Sequence, residues 1–174
     1  MMATPHLLAG AAIGRALHKR PALAVTAAFS FHFVLDAIPH LDSNDLYGVE
    51  GGWSVPEVGI AVADFVFGCV VVLVLTRARS WRTMALWGAF FGIVLDIVGV
   101  VPPMGPWFVR WQGSAWLDRF HHGIQPDVDP ANLLLGFGTQ AIVIVVCAWV
   151  LLRRDRGSAQ IEGTATCTER DRRV

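Results

Sequence analysis

His32-Phe33-Val34-Leu35-Asp36-Ala37-Ile38-Pro39-His40-Leu41-Asp42 closes an apolar run with two histidines and two aspartates. An unpaired charge buried in an apolar medium carries a heavy desolvation cost. A helix that ends this way must turn its polar side chains toward partners. His32 and Asp36 are one helical turn apart and share a face. Pro39 stops the helix, so His40 and Asp42 approach from the loop that follows. The stretch reads as the centre of a metal site at the end of an otherwise apolar helix.

Its surroundings read as a membrane protein. The chain is 54% hydrophobic and only 16% charged, where soluble domains carry about a quarter charged residues. Mean hydropathy is +0.50. Net charge is zero, which leaves a nucleic-acid partner without electrostatic support. Cys69 and Cys147 fall inside apolar runs and Cys167 lies in a polar tail, with no CxxC pair. Arg15, Lys19 and Arg20 follow the first apolar run rather than precede it. That order does not suit a signal peptide, so the run is expected to stay in the mature protein.

Five apolar segments are expected as helices: residues 4–17, 21–38, 56–76, 81–101 and 130–152. A span needs about 20 residues, so the first is short and the last three are long enough. Thr4-Pro5 makes a good helix start. The connections alternate in charge. His18, Lys19 and Arg20, then Arg77, Arg79 and Arg82, then Arg153, Arg154 and Arg156 are basic, whereas Asp42, Asp45, Glu50 and Glu57 make the second connection acidic. The positive-inside rule then predicts an all-α polytopic transmembrane bundle of about five helices, N-terminus out and C-terminus in. A half-inserted first segment would put the N-terminus on the cytoplasmic side instead. Trp53 and Trp81 flank the third segment, and Trp107, Trp111 and Trp116 sit in the fourth connection, at expected headgroup level. Trp107, Phe108, Trp111 and Ala115 recur at helical spacing, as in an interfacial helix. Residues 1–156 form the membrane domain, and 157–174 read as a disordered polar cytoplasmic tail. Residues 31–36 and 91–96 share four identities, which either a repeated hairpin or chance explains.

This topology collects polar residues on the outer side. His6 opens segment one; His32, Asp36, His40 and Asp42 end segment two; Asp64 lies two turns into segment three; Asp96 lies near the outer end of segment four; His121 and His122 lie in the outer connection. The metal ligands expected are His6, His32, Asp36, His40 and Asp42. Such a nitrogen and oxygen set suits a divalent cation, zinc or manganese above all. Asp96 or Asp64 would orient a ligand or act as base, and His121 or His122 would contact a leaving group. His6-x3-Gly10-x3-Gly14 and Gly88-x3-Gly92-x3-Asp96 line each polar residue up with glycines. Small residues let membrane helices approach closely, which would carry His6 and Asp96 into the site. Plainer readings stand beside these. Asp36, Asp64 and Asp96 fit structural polar contacts, His6 fits the headgroup level, and His121-His122 fit an exposed loop. Asp42-Ser43-Asn44-Asp45 fits turn and cap chemistry, and it is not an EF-hand loop.

Thr4-Pro5-His6-Leu7-Leu8-Ala9-Gly10, the 31–42 stretch and Phe120-His121-His122-Gly123-Ile124 together resemble the YdjM-like inner-membrane metal-dependent hydrolases. Those proteins start with a histidine-glycine helix, carry an aspartate/histidine motif after the second helix and have a later histidine pair. This sequence has Asp36-Ala37-Ile38-Pro39-His40 where an Asp-x-Asp-His run is expected, and its later pair lacks the spaced His-Arg-Gly form. The resemblance implies a metal-dependent hydrolase acting at the outer membrane face on a lipid or phosphoester, with membrane lipid as partner. The competing expectation is a small non-enzymatic scaffold or partner subunit whose His and Asp residues tie helices together. A transporter is disfavoured because the inner halves of the segments are almost purely apolar.

Overall fold

The structure, a computed structural model, describes residues 1–41, 43–47, 54–100, 114–126 and 128–153. The regular structure among them is helical, with no strand. Helices α1 (Ala3–Ala16), α2 (Pro21–Asp36), α4 (Val55–Leu75), α5 (Arg82–Val100) and α7 (Leu133–Leu152) fall on the five apolar segments. Short α3 (Ser43–Tyr47) and α6 (Ser114–Gly123) lie in the connections. The expectations for Asp42, Glu50, Trp53, Trp107, Phe108, Trp111, Arg154, Arg156 and the 157–174 tail fall outside the described residues.

Two helices, α4 and α7, are long and apolar enough to cross a membrane. Only 11% of each span is buried. Val62, Val66, Phe67 and Val70 on α4, and Ile142, Val145 and Val146 on α7, face outward. A core helix of a soluble protein with this composition would be buried, whereas here the apolar surface is turned away from the protein.

The shortest of the five long helices is the one at the centre. α1 runs along α5 and also packs against α7, α2 and α4. Leu7, Leu8, Ala11 and Ala12 sit in the main core with Val72, Trp81, Ala85, Ala89 and Ile93. Fourteen residues rise about 21 Å, less than the roughly 30 Å of a bilayer core. Because protein encloses α1 on most sides, its length is matched to its neighbours and not to lipid.

Both ends of α1 are tied to neighbouring helices. At the amino end its first N–H groups have no partner inside the helix. Thr4 N–H donates to Asp64 Oδ2 of α4 (3.0 Å), and Met2 N–H donates to Gln140 Oε1 of α7 (3.1 Å). At the carboxyl end, the Arg15 guanidinium donates to the Val150 and Arg153 carbonyls at the end of α7. It also lies over the Trp81 ring, 4.8 Å from the centroid. A cation bonded to the last carbonyls of a helix complements its dipole, and the ring adds a cation–π contact.

The glycines sit where α1 crosses α5. A Cβ at Gly10 would overlap the Gly88 carbonyl, one at Gly14 would overlap the Met84 carbonyl, and one at Gly92 would lie 2.8 Å from the His6 carbonyl oxygen. The two backbones touch directly, as the spacing of small residues predicted. In the turn from α4 to α5, Ala78 adopts φ 58°, a region costly for a side chain. Ala78→Gly is expected to stabilise the fold by roughly 0.5–1 kcal/mol, read as a thermal midpoint about 2 °C higher in detergent.

Candidate metal centre

The end of α2 supplies His32 and Asp36, one turn apart and both almost fully buried. His32 Nδ1–H donates to the Gly92 carbonyl of α5 (2.9 Å). A carbonyl only accepts, so this bond fixes the tautomer. In the neutral ring it leaves the Nε2 lone pair facing inward. A histidine oriented in this way by a backbone carbonyl is the usual arrangement of a metal ligand.

Three other side chains meet that lone pair. Asp36 Oδ2 lies 3.1 Å from His32 Nε2 and 2.8 Å from His121 Nε2 of α6. The two histidine Nε2 atoms are themselves 3.1 Å apart. Asp96 of α5 brings Oδ1 to 3.5 Å from His32 Nε2 and 3.6 Å from His121 Nε2. One ligand atom from each of His32, Asp36, Asp96 and His121 lies within 4.8 Å of the others. A lone pair aimed at a carboxylate oxygen and a second imidazole nitrogen is repelled unless a proton or a cation lies between them. Two nitrogens and two carboxylate oxygens make a set that a divalent ion such as zinc accepts.

His6 reaches the same place from α1. It is 0% exposed, and its ring lies 4.3 Å from that of His32. Nε2 is 3.0 Å from Asp36 Oδ1, but at an angle that makes no hydrogen bond, and Nδ1 also has none. A buried polar group left this way costs about 1–3 kcal/mol.

The other expected site residues lie elsewhere. His40 is buried, but its Nδ1–H donates to the Ile38 carbonyl (2.7 Å) and it stands outside the cluster. Asp64 caps α1 through Thr4, whose hydroxyl also donates to the Asp64 carbonyl (2.9 Å). His122 is exposed, with its ring 5.3 Å from that of His121. Asp42 is outside the described residues. Asp64→Ala is expected to cost about 1 kcal/mol by orphaning the Thr4 N–H, with metal content unchanged. Asp64→Asn, which keeps an acceptor, should recover most of that loss in a thermal melt.

Two glutamines were not anticipated. Gln125 Nε2 lies 3.4 Å from His121 Nε2. Gln140 accepts from Met2 and donates to the Leu41 carbonyl (2.6 Å) and the Gly136 carbonyl (3.1 Å). Gln140 carried a usable signal, since an amide inside an apolar 20-residue helix needs a partner.

Fold and site together define an all-helical chain with two candidate membrane spans and a buried His/Asp cluster able to hold a metal ion. No family model, curated protein or solved structure matches it.

Proposed function

We propose that the chain is a multi-pass protein of the bacterial cytoplasmic membrane that holds a divalent cation near its outer face and hydrolyses a lipid or phosphoester. The observation that carries this reading is the His32 lone pair, fixed by Gly92 and turned toward His121 and Asp36. His32, His121, Asp36 and Asp96 would hold the ion. A bound divalent cation supplies Lewis acidity toward a phosphoryl or carbonyl oxygen and lowers the pKa of water. Asp96, the one carboxylate of the cluster with a partly exposed side chain (28%), is the group best placed to meet a substrate. Gln125, beside His121, is a donor at the rim. The outward apolar faces of α4 and α7, the basic residues His18, Lys19, Arg20, Arg77 and Arg79 at the opposite end, and the likeness to YdjM-like proteins support the rest.

The test is metal analysis of protein purified in detergent without chelator, beside His32→Ala and Asp36→Ala, followed by hydrolysis assays with phospholipid and phosphodiester substrates. About one or more ions per chain, lost in both variants, is the expected result. An empty parent protein would sink the proposal. It would favour the scaffold reading, which has its own support: Asp36 gathers His6 of α1, its own helix and His121 of α6 around one carboxylate. A reporter fused to the C-terminus should be cytoplasmic, and an external one would overturn the orientation.

A further inference from the structure

We propose that the centre is built for two cations, with Asp36 and Asp96 bridging them and His6 holding the second. This rests on the metal reading above and goes beyond the four-residue cluster.

Each carboxylate divides its two oxygens in the same way. Asp36 turns Oδ2 to His32 (3.1 Å) and His121 (2.8 Å), and Oδ1 to His6 (3.0 Å). Asp96 turns Oδ1 to His32 (3.5 Å) and His121 (3.6 Å), and Oδ2 to His6 (3.9 Å). The two aspartates stand on different helices, α2 and α5, so local backbone geometry does not impose the shared pattern. One ion among His32, His121, Asp36 Oδ2 and Asp96 Oδ1 has a complete four-ligand shell. It leaves Asp36 Oδ1, which also accepts from the buried Met1 ammonium, and Asp96 Oδ2 facing a histidine that is fully buried and makes no hydrogen bond at either nitrogen. A second ion on His6 Nε2 and those two oxygens would replace the Met1 ammonium, which donates to Asp36 Oδ1 (3.1 Å), as the positive group at this end of the carboxylate. Its three protein ligands leave a position open, as reactive sites do. A carboxylate that bridges two ions holds them about 3.5–4 Å apart, the spacing of two-metal hydrolytic centres.

Charge then points to the ligand class. Two aspartates neutralise one dication, so a second leaves the centre positive in a low-dielectric setting, where an uncompensated charge is costly. The doubly loaded centre therefore calls for an anion, and a phosphate or phosphoester oxygen fits this better than a neutral ester carbonyl.

The full chain in detergent, stripped with chelator and titrated with Mn2+ with and without inorganic phosphate, tests this. The expected result is two ions per chain with phosphate present and the electron paramagnetic resonance spectrum of an exchange-coupled pair. His6→Ala should fall to one ion with an uncoupled spectrum. His6→Gln serves if the alanine variant does not fold, and the parent spectrum decides the matter without either. One ion per chain at saturation in the parent, uncoupled and unchanged by phosphate, would overturn the second site and leave the metal reading standing. No bound ion at all would overturn both.

Discussion

Asp36→Asn is expected to abolish metal retention and to lower the thermal midpoint by on the order of 10 °C. Asp36 is the residue on which the site converges, its side chain 1% exposed, with His6, His32 and His121 all within 3.1 Å. Asparagine keeps the shape but removes the charge and replaces an oxygen acceptor by an NH2 donor. If the centre holds a cation, the loss of an anionic ligand should weaken binding by at least about 100-fold, more than the 10–100-fold of outer-shell changes. Removing one partner from a buried charged group costs about 3–5 kcal/mol, and each kcal/mol moves the midpoint of a chain this size by about 2–4 °C. A chelator separates the two functional readings. Under the metal reading, chelating the parent reproduces much of the loss seen in the variant. Under the scaffold reading, chelator leaves the parent unchanged while Asp36→Asn still destabilises. Melting curves with and without chelator, beside metal content, are the measurement.

Gly10→Val should destabilise by about 3 kcal/mol or more, at or beyond the upper end of ordinary overpacking. Even a methyl group at Gly10 meets the Gly88 carbonyl and lies 3.1 Å from the Ala89 Cα. These are backbone atoms, which cannot rotate away as a side chain can, so the helices must separate. α1 is the hub of the packing, so its displacement from α5 loosens the whole core. His6 lies one turn before Gly10 on the same face and would move with it. Metal retention should therefore fall with stability, although residue 10 touches no ligand. Gly59→Ala on α4 is the control. Nothing lies within 4 Å of its would-be Cβ, and alanine is the better helix former by up to about 1 kcal/mol. That variant should be neutral or slightly stabilised, with metal content at the parent level. Equal losses in both variants would show that the α1–α5 backbone contact is not what carries the effect of Gly10→Val.

The close α1–α5 contact was legible because small residues at every fourth position mark a helix face whatever the fold around it. The enclosure of α1 by the other helices was not legible. Composition says that a segment is apolar, and it says the same of a helix surrounded by protein as of one surrounded by acyl chains. Asp64 illustrates a second limit. Its place in an apolar helix announced that it needs a partner, but metal, histidine and the end of another helix all meet that need. The structure supplies Thr4 at the end of α1.

By itself, then, the sequence determined the helical segments, the stop of α2 ahead of Pro39, the pairing of His32 with Asp36 on one face, and the glycine faces beside His6 and Asp96. The start expected at Thr4-Pro5 is instead at Ala3, with Thr4 bonded to Asp64 and not capping its own helix. These are local or compositional properties, written in spacings of one or two turns. Only the tertiary structure decided that His121 and not His122 meets Asp36, that Asp96 joins the cluster while Asp64 caps α1, and that His40 turns back to its own loop. The reason is geometric. Each residue turns a helix by about 100°, so which side chain reaches a shared point depends on the rotation of each helix about its axis and on the path of the connecting loop. Packing against the other helices sets both.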